Sequence, residues 1–248
     1  MSIQPSGPRG ESSLASRFIW IAAICGIAGQ VVFTFDWIVP GLTESHYDNL
    51  RQDVSDFGAL TASHPLPYNV MLSLSGALTV VMAVALWRVL GAGLSARIGV
   101  IVLAILGGGY FLDGLLREDC APSGDAACKA AEKAGTLSWH HQAHNIESLV
   151  TFAATILAPL ILAFAFKSRP RWAALWAYSL ATFAVIAVAT VWYFVLFFAS
   201  DGSTYSGVLE RVLIEAGAVW IAVVSAWMVL RDDRYRANGE DAARKHPA

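Results

Sequence analysis

The chain has 248 residues, of which 56% are hydrophobic and 15% charged, with a net charge of −2 and a mean hydropathy of +0.54. Soluble domains carry about 25% charged residues, so this composition excludes an ordinary soluble domain and points to lipid. The near-neutral charge offers no electrostatic footprint for nucleic acid, which is not expected as a partner.

Residues 1–16 are rich in Pro, Gly and Ser and read as a disordered cytoplasmic tail. Six apolar stretches follow, at 18–39, 69–87, 98–116, 146–166, 172–198 and 208–230. Each is close to the roughly 20 residues needed to cross a hydrocarbon core as helix. Helices satisfy their own backbone hydrogen bonds in lipid, and the alternation of barrel strands is missing. The expected fold is therefore all-α: a polytopic membrane protein with a six-transmembrane-helix bundle over 17–230. The first stretch is too long for a signal core and reads as a retained helix. Residues 231–248 are charged and form a second cytoplasmic tail.

Lys and Arg set the orientation. The side carrying the termini and the second and fourth loops holds twelve: Arg9, Arg17, Arg88, Arg97, Lys167, Arg169, Arg171, Arg231, Arg234, Arg236, Arg244 and Lys245. The other side holds five: Arg51, Arg117, Lys129, Lys133 and Arg211. Both termini are thus expected in the cytoplasm of a multi-pass cell-membrane protein. Cys120 and Cys128 share one outer loop, where an oxidising compartment allows a disulfide; two free thiols are the alternative. Gly26, Gly29, Ser73, Gly76 and Gly107-Gly108-Gly109 suggest close helix packing, and the glycine run also permits a bend.

The ionisable groups near the spans gather in the outer half. Asp36 and Asp113 end outward-running spans, while His144, Glu147, Glu210, Arg211 and Glu215 begin inward-running ones. Charge at membrane depth usually has a function, and one outward-facing polar cavity accounts for the grouping; wet helix ends are the plainer account. In the segment Trp139-His140-His141-Gln142-Ala143-His144-Asn145-Ile146-Glu147, helical spacing of about 100° per residue puts His140, His144 and Glu147 in an arc of about 60° and turns His141 away. That trio is a candidate ligand set for zinc or another divalent metal, completed by Asp56, Asp119 or Glu215. A hydrogen-bonded histidine network without metal is the alternative. In the first outer loop, Ser55 and Asp56 with an external histidine make a hydroxyl, a carboxylate and a base, a set suited to hydrolysis or simply to capping a short helix. Arg211 offers a bidentate anchor for a phosphate or carboxylate headgroup or an i,i+4 partner for Glu215.

Several pieces occur in order: Tyr47-Asp48-x-Leu50-Arg51 running into Ser55-Asp56-Phe57-Gly58; Arg97-Ile98-Gly99 before the glycine run and Asp119; His144 before Phe152; and Gly207-x-Leu209-x-Arg211 before Trp220. In these the chain resembles the prokaryotic six-helix membrane proteins grouped as "domain of unknown function 998", over about 18–230. The resemblance implies the fold and no established activity. Leu116-Arg117 stands where that family often has Phe-Pro, and His140 and His141 are additions to its pattern. The Ser/Asp/His set is more distantly similar to membrane hydrolases of the alkaline ceramidase and progestin-receptor type, but their late pair of zinc histidines is missing.

These readings lead to an expected outward-facing polar pocket acting on a lipid or amphiphile, with hydrolysis as the reaction. His144, Asp56, Ser55 and Asp119 are the catalytic candidates; Arg211, Glu210 and Asp113 are those for substrate. The alternative is a non-catalytic lipid-binding, sensing or assembly protein in which the same residues form a structural network. A transporter ranks last, because the inner half lacks midplane polar groups.

Overall fold

The structure is a computed structural model that describes residues 9–199 and 205–245. Those residues form seven α-helices, α1 (Arg9–Thr43), α2 (Pro65–Leu90), α3 (Leu94–Asp113), α4 (Ala126–Lys133), α5 (Trp139–Lys167), α6 (Ala174–Ala199) and α7 (Ser206–Lys245), and one 3-10 helix, Val54–Gly58. All but α4 are long and apolar enough to cross a membrane. Of the two expected tails, 1–8 and 246–248 lie outside the described residues; the remaining parts continue α1 and α7 as helix.

The six long helices close into a ring in the order α1, α2, α3, α5, α6, α7, with α7 returning to α1. Every side chain that a soluble bundle would hide is here divided between two apolar surroundings. Leu86, Leu103, Leu162, Phe166 and Trp220 fill the interior, while Ile21, Val31, Ile101, Val188 and Val219 point outward and stay exposed. Outward apolar residues on every span form a belt that only lipid satisfies.

Close helix approach comes from the small residues. A Cβ on Gly76 would strike the backbone of Phe111 and Gly107, and one on Gly107 would come 2.9 Å from the Gly76 carbonyl. The glycine run therefore packs α3 against α2. Gly108, between its neighbours, faces open space.

The two ends of the bundle differ. At one, α2 passes to α3 through Gly91 (φ 65°) and Gly93 (φ 139°), both in the region glycine favours. At the other lie two long connections: 44–64, which holds the 3-10 helix, and 114–138, which holds α4 and a Cys120–Cys128 disulfide. Two helix ends depart from the apolar stretches. α3 stops at Asp113, with Gly114 as its cap, and α5 begins at Trp139. The histidine segment is thus the first two turns of a spanning helix, capped by Ser138, which accepts from the His141 N–H at 3.4 Å.

Candidate functional site

The long connections fold onto each other and roof the ring. In the first, the four terminal N–H groups of Arg211 are all taken: by Gln52 O (3.0 Å), Gly207 O (2.9 Å), the Tyr47 hydroxyl (2.7 Å) and Asn49 Oδ1 (3.3 Å). Its guanidinium also lies over the Trp37 and Tyr47 rings at 5.6 and 5.5 Å. Beside it, Glu210 accepts the Val54 N–H at 2.7 Å, and Gly207 lets the loop backbone approach, since a Cβ there would meet Gln52 O at 2.5 Å. The start of α7 and the first loop are one unit.

The disulfide loop is fastened to that unit. Ser123 donates to Asp56 and accepts the Asp53 N–H at 2.9 Å, while Leu60 N–H donates to Glu118 O at 2.9 Å. Below it, Asp119 accepts the Ser138 N–H (2.6 Å) and hydroxyl (2.8 Å), tying the loop to the first turn of α5. These bonds, the backbone one first, hold the Asp119 carboxyl below its usual range. His141 is fully buried: its Nδ1 accepts the Asp119 N–H at 3.2 Å, so its Nε2–H faces Glu132 Oε1 at 3.3 Å. Burial pushes the Asp56 carboxyl up despite the Ser123 and Gln52 donors, and burial with the neighbouring Asp56 charge raises Asp53.

Under this roof is a cavity of about 530 Å³. Its deeper wall is apolar and aromatic, with Phe33, Leu72, Phe152 and Ile214; its roof end is polar, with Asp53, Ser55, Ser123, Glu132 and Glu210. Acidic side chains outnumber Arg51 and Lys129 on the wall. At the junction of the two halves sits His144, 5% exposed. Its Nδ1 is 3.1 Å from Asp113 Oδ1 and 3.1 Å from Leu116 O; its Nε2 is 3.8 Å from Glu118 Oε1. Because Leu116 O only accepts, Nδ1 carries the proton in this arrangement. Glu147 completes the group: one ligand atom each from Asp113, His144 and Glu147 lie within 4.8 Å of one another. Glu118 is 3% exposed, and burial, opposed by His144, pushes its carboxyl up to about 8.

The expected residues therefore separate. His144, Asp113 and Glu147 meet. His140 does not join them: it is exposed and stacks on Trp139 with ring centroids 3.9 Å apart, and Asp113 takes its place beside His144. The reason is helical phase. The face of α5 that packs on α3 carries His141, His144, Thr151, Thr155, Ala158 and Leu162, so the buried arc is centred on His144 and runs to His141 rather than His140. Extending that stripe back from the apolar part of the helix identifies His141 in the sequence alone. Ser55 lies on the cavity wall, but among the described residues neither ring nitrogen of His144 is bonded to it. Asp56 and Asp119 are engaged in the roof. Arg211 has no terminal N–H left for a headgroup, and Glu215 turns to Thr34 (2.9 Å) and Trp37 (3.3 Å) on α1 instead of to Arg211. Glu118 carries no sequence signal: it sits in a polar loop like its neighbours.

Fold and site together define a six-helix membrane protein with a roofed cavity and a buried histidine–carboxylate centre. The chain belongs to the family described as "Protein of unknown function (DUF998)", whose model matches residues 27–227. No curated protein and no solved structure matches it.

Proposed function

We propose that the protein is an integral membrane hydrolase acting on an amphiphile, with water activated at the His144 centre. The observation that carries this reading is the position of His144: it stands between Asp113 and Glu118, where a cavity changes from apolar depth to polar roof. A chain that enters among Phe33, Leu72 and Ile214 brings the polar end of the same molecule to the imidazole. The acid-rich wall favours a neutral or cationic polar end, a hydroxyl or an amine, over a phosphate. The excess of Lys and Arg at the opposite end of the bundle and the disulfide in the roof support a cell-membrane protein whose cavity faces away from the cytoplasm.

Native mass spectrometry of the protein in lipid discs, with turnover assays on acylated amines, acylated alcohols and phospholipids, tests the reading. Wild-type protein is expected to retain an amphiphile that the cavity-filling Ser148→Trp variant loses. His144→Ala is expected to keep the ligand and lose turnover. Equal retention by wild type and Ser148→Trp would overturn the cavity assignment. The engagement of Asp56 and Asp119 in the roof favours a second reading, a binding protein without catalysis; retention without turnover of any of the three classes would select it.

A further inference from the structure

One imidazole faces three carboxylates beside this cavity, two of them, Asp113 and Glu118, on its wall. Carboxylate oxygens of Asp113 and Glu118 stand 3.1 and 3.8 Å from the two ring nitrogens of His144, and Glu147 lies beside them. Two oxygens, Asp113 Oδ1 and Leu116 O, stand 3.1 Å from the same Nδ1, which has a single proton to share between them. Bonds of 2.0–2.1 Å to zinc in tetrahedral geometry place neighbouring ligand atoms about 3.3 Å apart. The 3.1 Å between His144 Nδ1 and Asp113 Oδ1 is close to that, and Glu147 offers an oxygen within 4.8 Å of both residues' ligand atoms.

Two buried oxygens make a second, independent observation. Glu118 is 3% exposed, faces the far ring nitrogen at 3.8 Å, and its Oε2 has no hydrogen-bond partner; Glu147 Oε2 is likewise buried without one. A buried carboxylate oxygen without a partner costs folding free energy unless positive charge compensates it. Gly109 leaves room for Glu147, since a Cβ there would strike Thr151 and come 2.7 Å from Glu147 Oε1.

We propose that His144 Nδ1, Asp113 and Glu147 bind one divalent transition-metal ion, of the zinc or manganese class, on the wall of the cavity. The donor set of one imidazole and two carboxylates suits these ions. The Leu116 carbonyl is placed as a further neighbour. Glu118 then accepts the Nε2–H and orients the ring, as carboxylates do behind metal-bound histidines. His140 has no part in the site. The inference rests on the cavity reading above for the ion's role: a bound divalent ion generates a water nucleophile at neutral pH.

The test is metal analysis of protein purified without chelators, then titration of chelator-stripped protein with zinc or manganese chloride, read by Tm. Wild type is expected to hold roughly one ion per chain and to gain Tm on titration, as ligand binding to the folded state requires. Glu147→Gln and Asp113→Asn should lose the ion and the shift. Glu118→Gln should bind about tenfold or more weakly, and His140→Ala should match wild type. No shift of stripped wild-type protein with either metal overturns the site whatever the variants do, as does an undiminished shift in Glu147→Gln. Amphiphile retention separates the two proposals: retained amphiphile without metal sinks the ion alone, and bound metal without amphiphile sinks the hydrolase reading alone.

Discussion

Arg211 shows how a conspicuous residue can be legible while its role is not. Its charge near a span marks it in the sequence as important. Nothing in the sequence says that Tyr47, Asn49 and Gln52 fold back to take its N–H groups, because those partners lie about 160 positions away and meet it only in the closed ring. The structure makes it a pillar of the roof. Arg211→Lys keeps the charge but loses the planar fork and the ring contacts. It is expected to cost about 2 kcal/mol, within the range for lost hydrogen bonds of a charged group and buried acceptors left unpaired, and to lower Tm in detergent; an unchanged Tm would remove the pillar role. Asp119 gives a prediction in pH. Its carboxyl is held below the unfolded value by the Ser138 N–H, so its contribution to stability is full above the unfolded pKa and is lost as pH falls through the folded one. Wild type should therefore lose stability on acidification in a range where Asp119→Asn has already lost it, and the Tm difference between them should narrow as pH drops below about 4.

At the scale of elements, the six spans were readable because hydropathy over twenty residues is a sum that few local exceptions disturb. Their ends were not, because caps rest on single side chains. Asp119 and Ser138 start α5 seven residues before its apolar stretch, so the histidine segment continues the buried face of the span. The same stripe argument that misassigned His140 corrects itself once the helix is extended: Thr155, Thr151 and His144 define the buried line, and His141 follows on it. The glycine run separates packing from bending. Gly76→Ala places a methyl group into the α3 backbone and should lower Tm clearly, with overpacking costs of about 1–3 kcal/mol. Gly108→Ala meets nothing and should leave Tm unchanged or slightly raised. If both variants behave alike, close α2–α3 approach is not what the glycines provide.

For the whole molecule, the roof and the direction it faces are linked through one bond. The Cys120–Cys128 bridge closes the segment that carries Ser123 and follows directly on Glu118 and Asp119, so it fastens the cavity's cover next to the centre's carboxylate. Closing even a short loop removes freedom from the unfolded chain, about 2–3 kcal/mol in the chain-entropy account. Cys120→Ser with Cys128→Ser should therefore lower Tm and loosen amphiphile retention together. The bridge also reports topology. Cys25, the one free cysteine, lies within α1 at lipid depth. In intact cells, a membrane-impermeant thiol reagent should label nothing until an impermeant reductant is added, and then label the two loop cysteines. The Lys and Arg distribution makes the same demand from the opposite end, since Arg88, Arg97, Lys167, Arg169 and Arg171 flank the short connections. Labelling only after the membrane is opened would place the roof in the cytoplasm. It would also set the charge rule and the disulfide against each other, because a reducing compartment does not keep such a bridge. Labelling without opening the membrane is the outcome that the basic residues and the bridge both call for in the proposed outward arrangement.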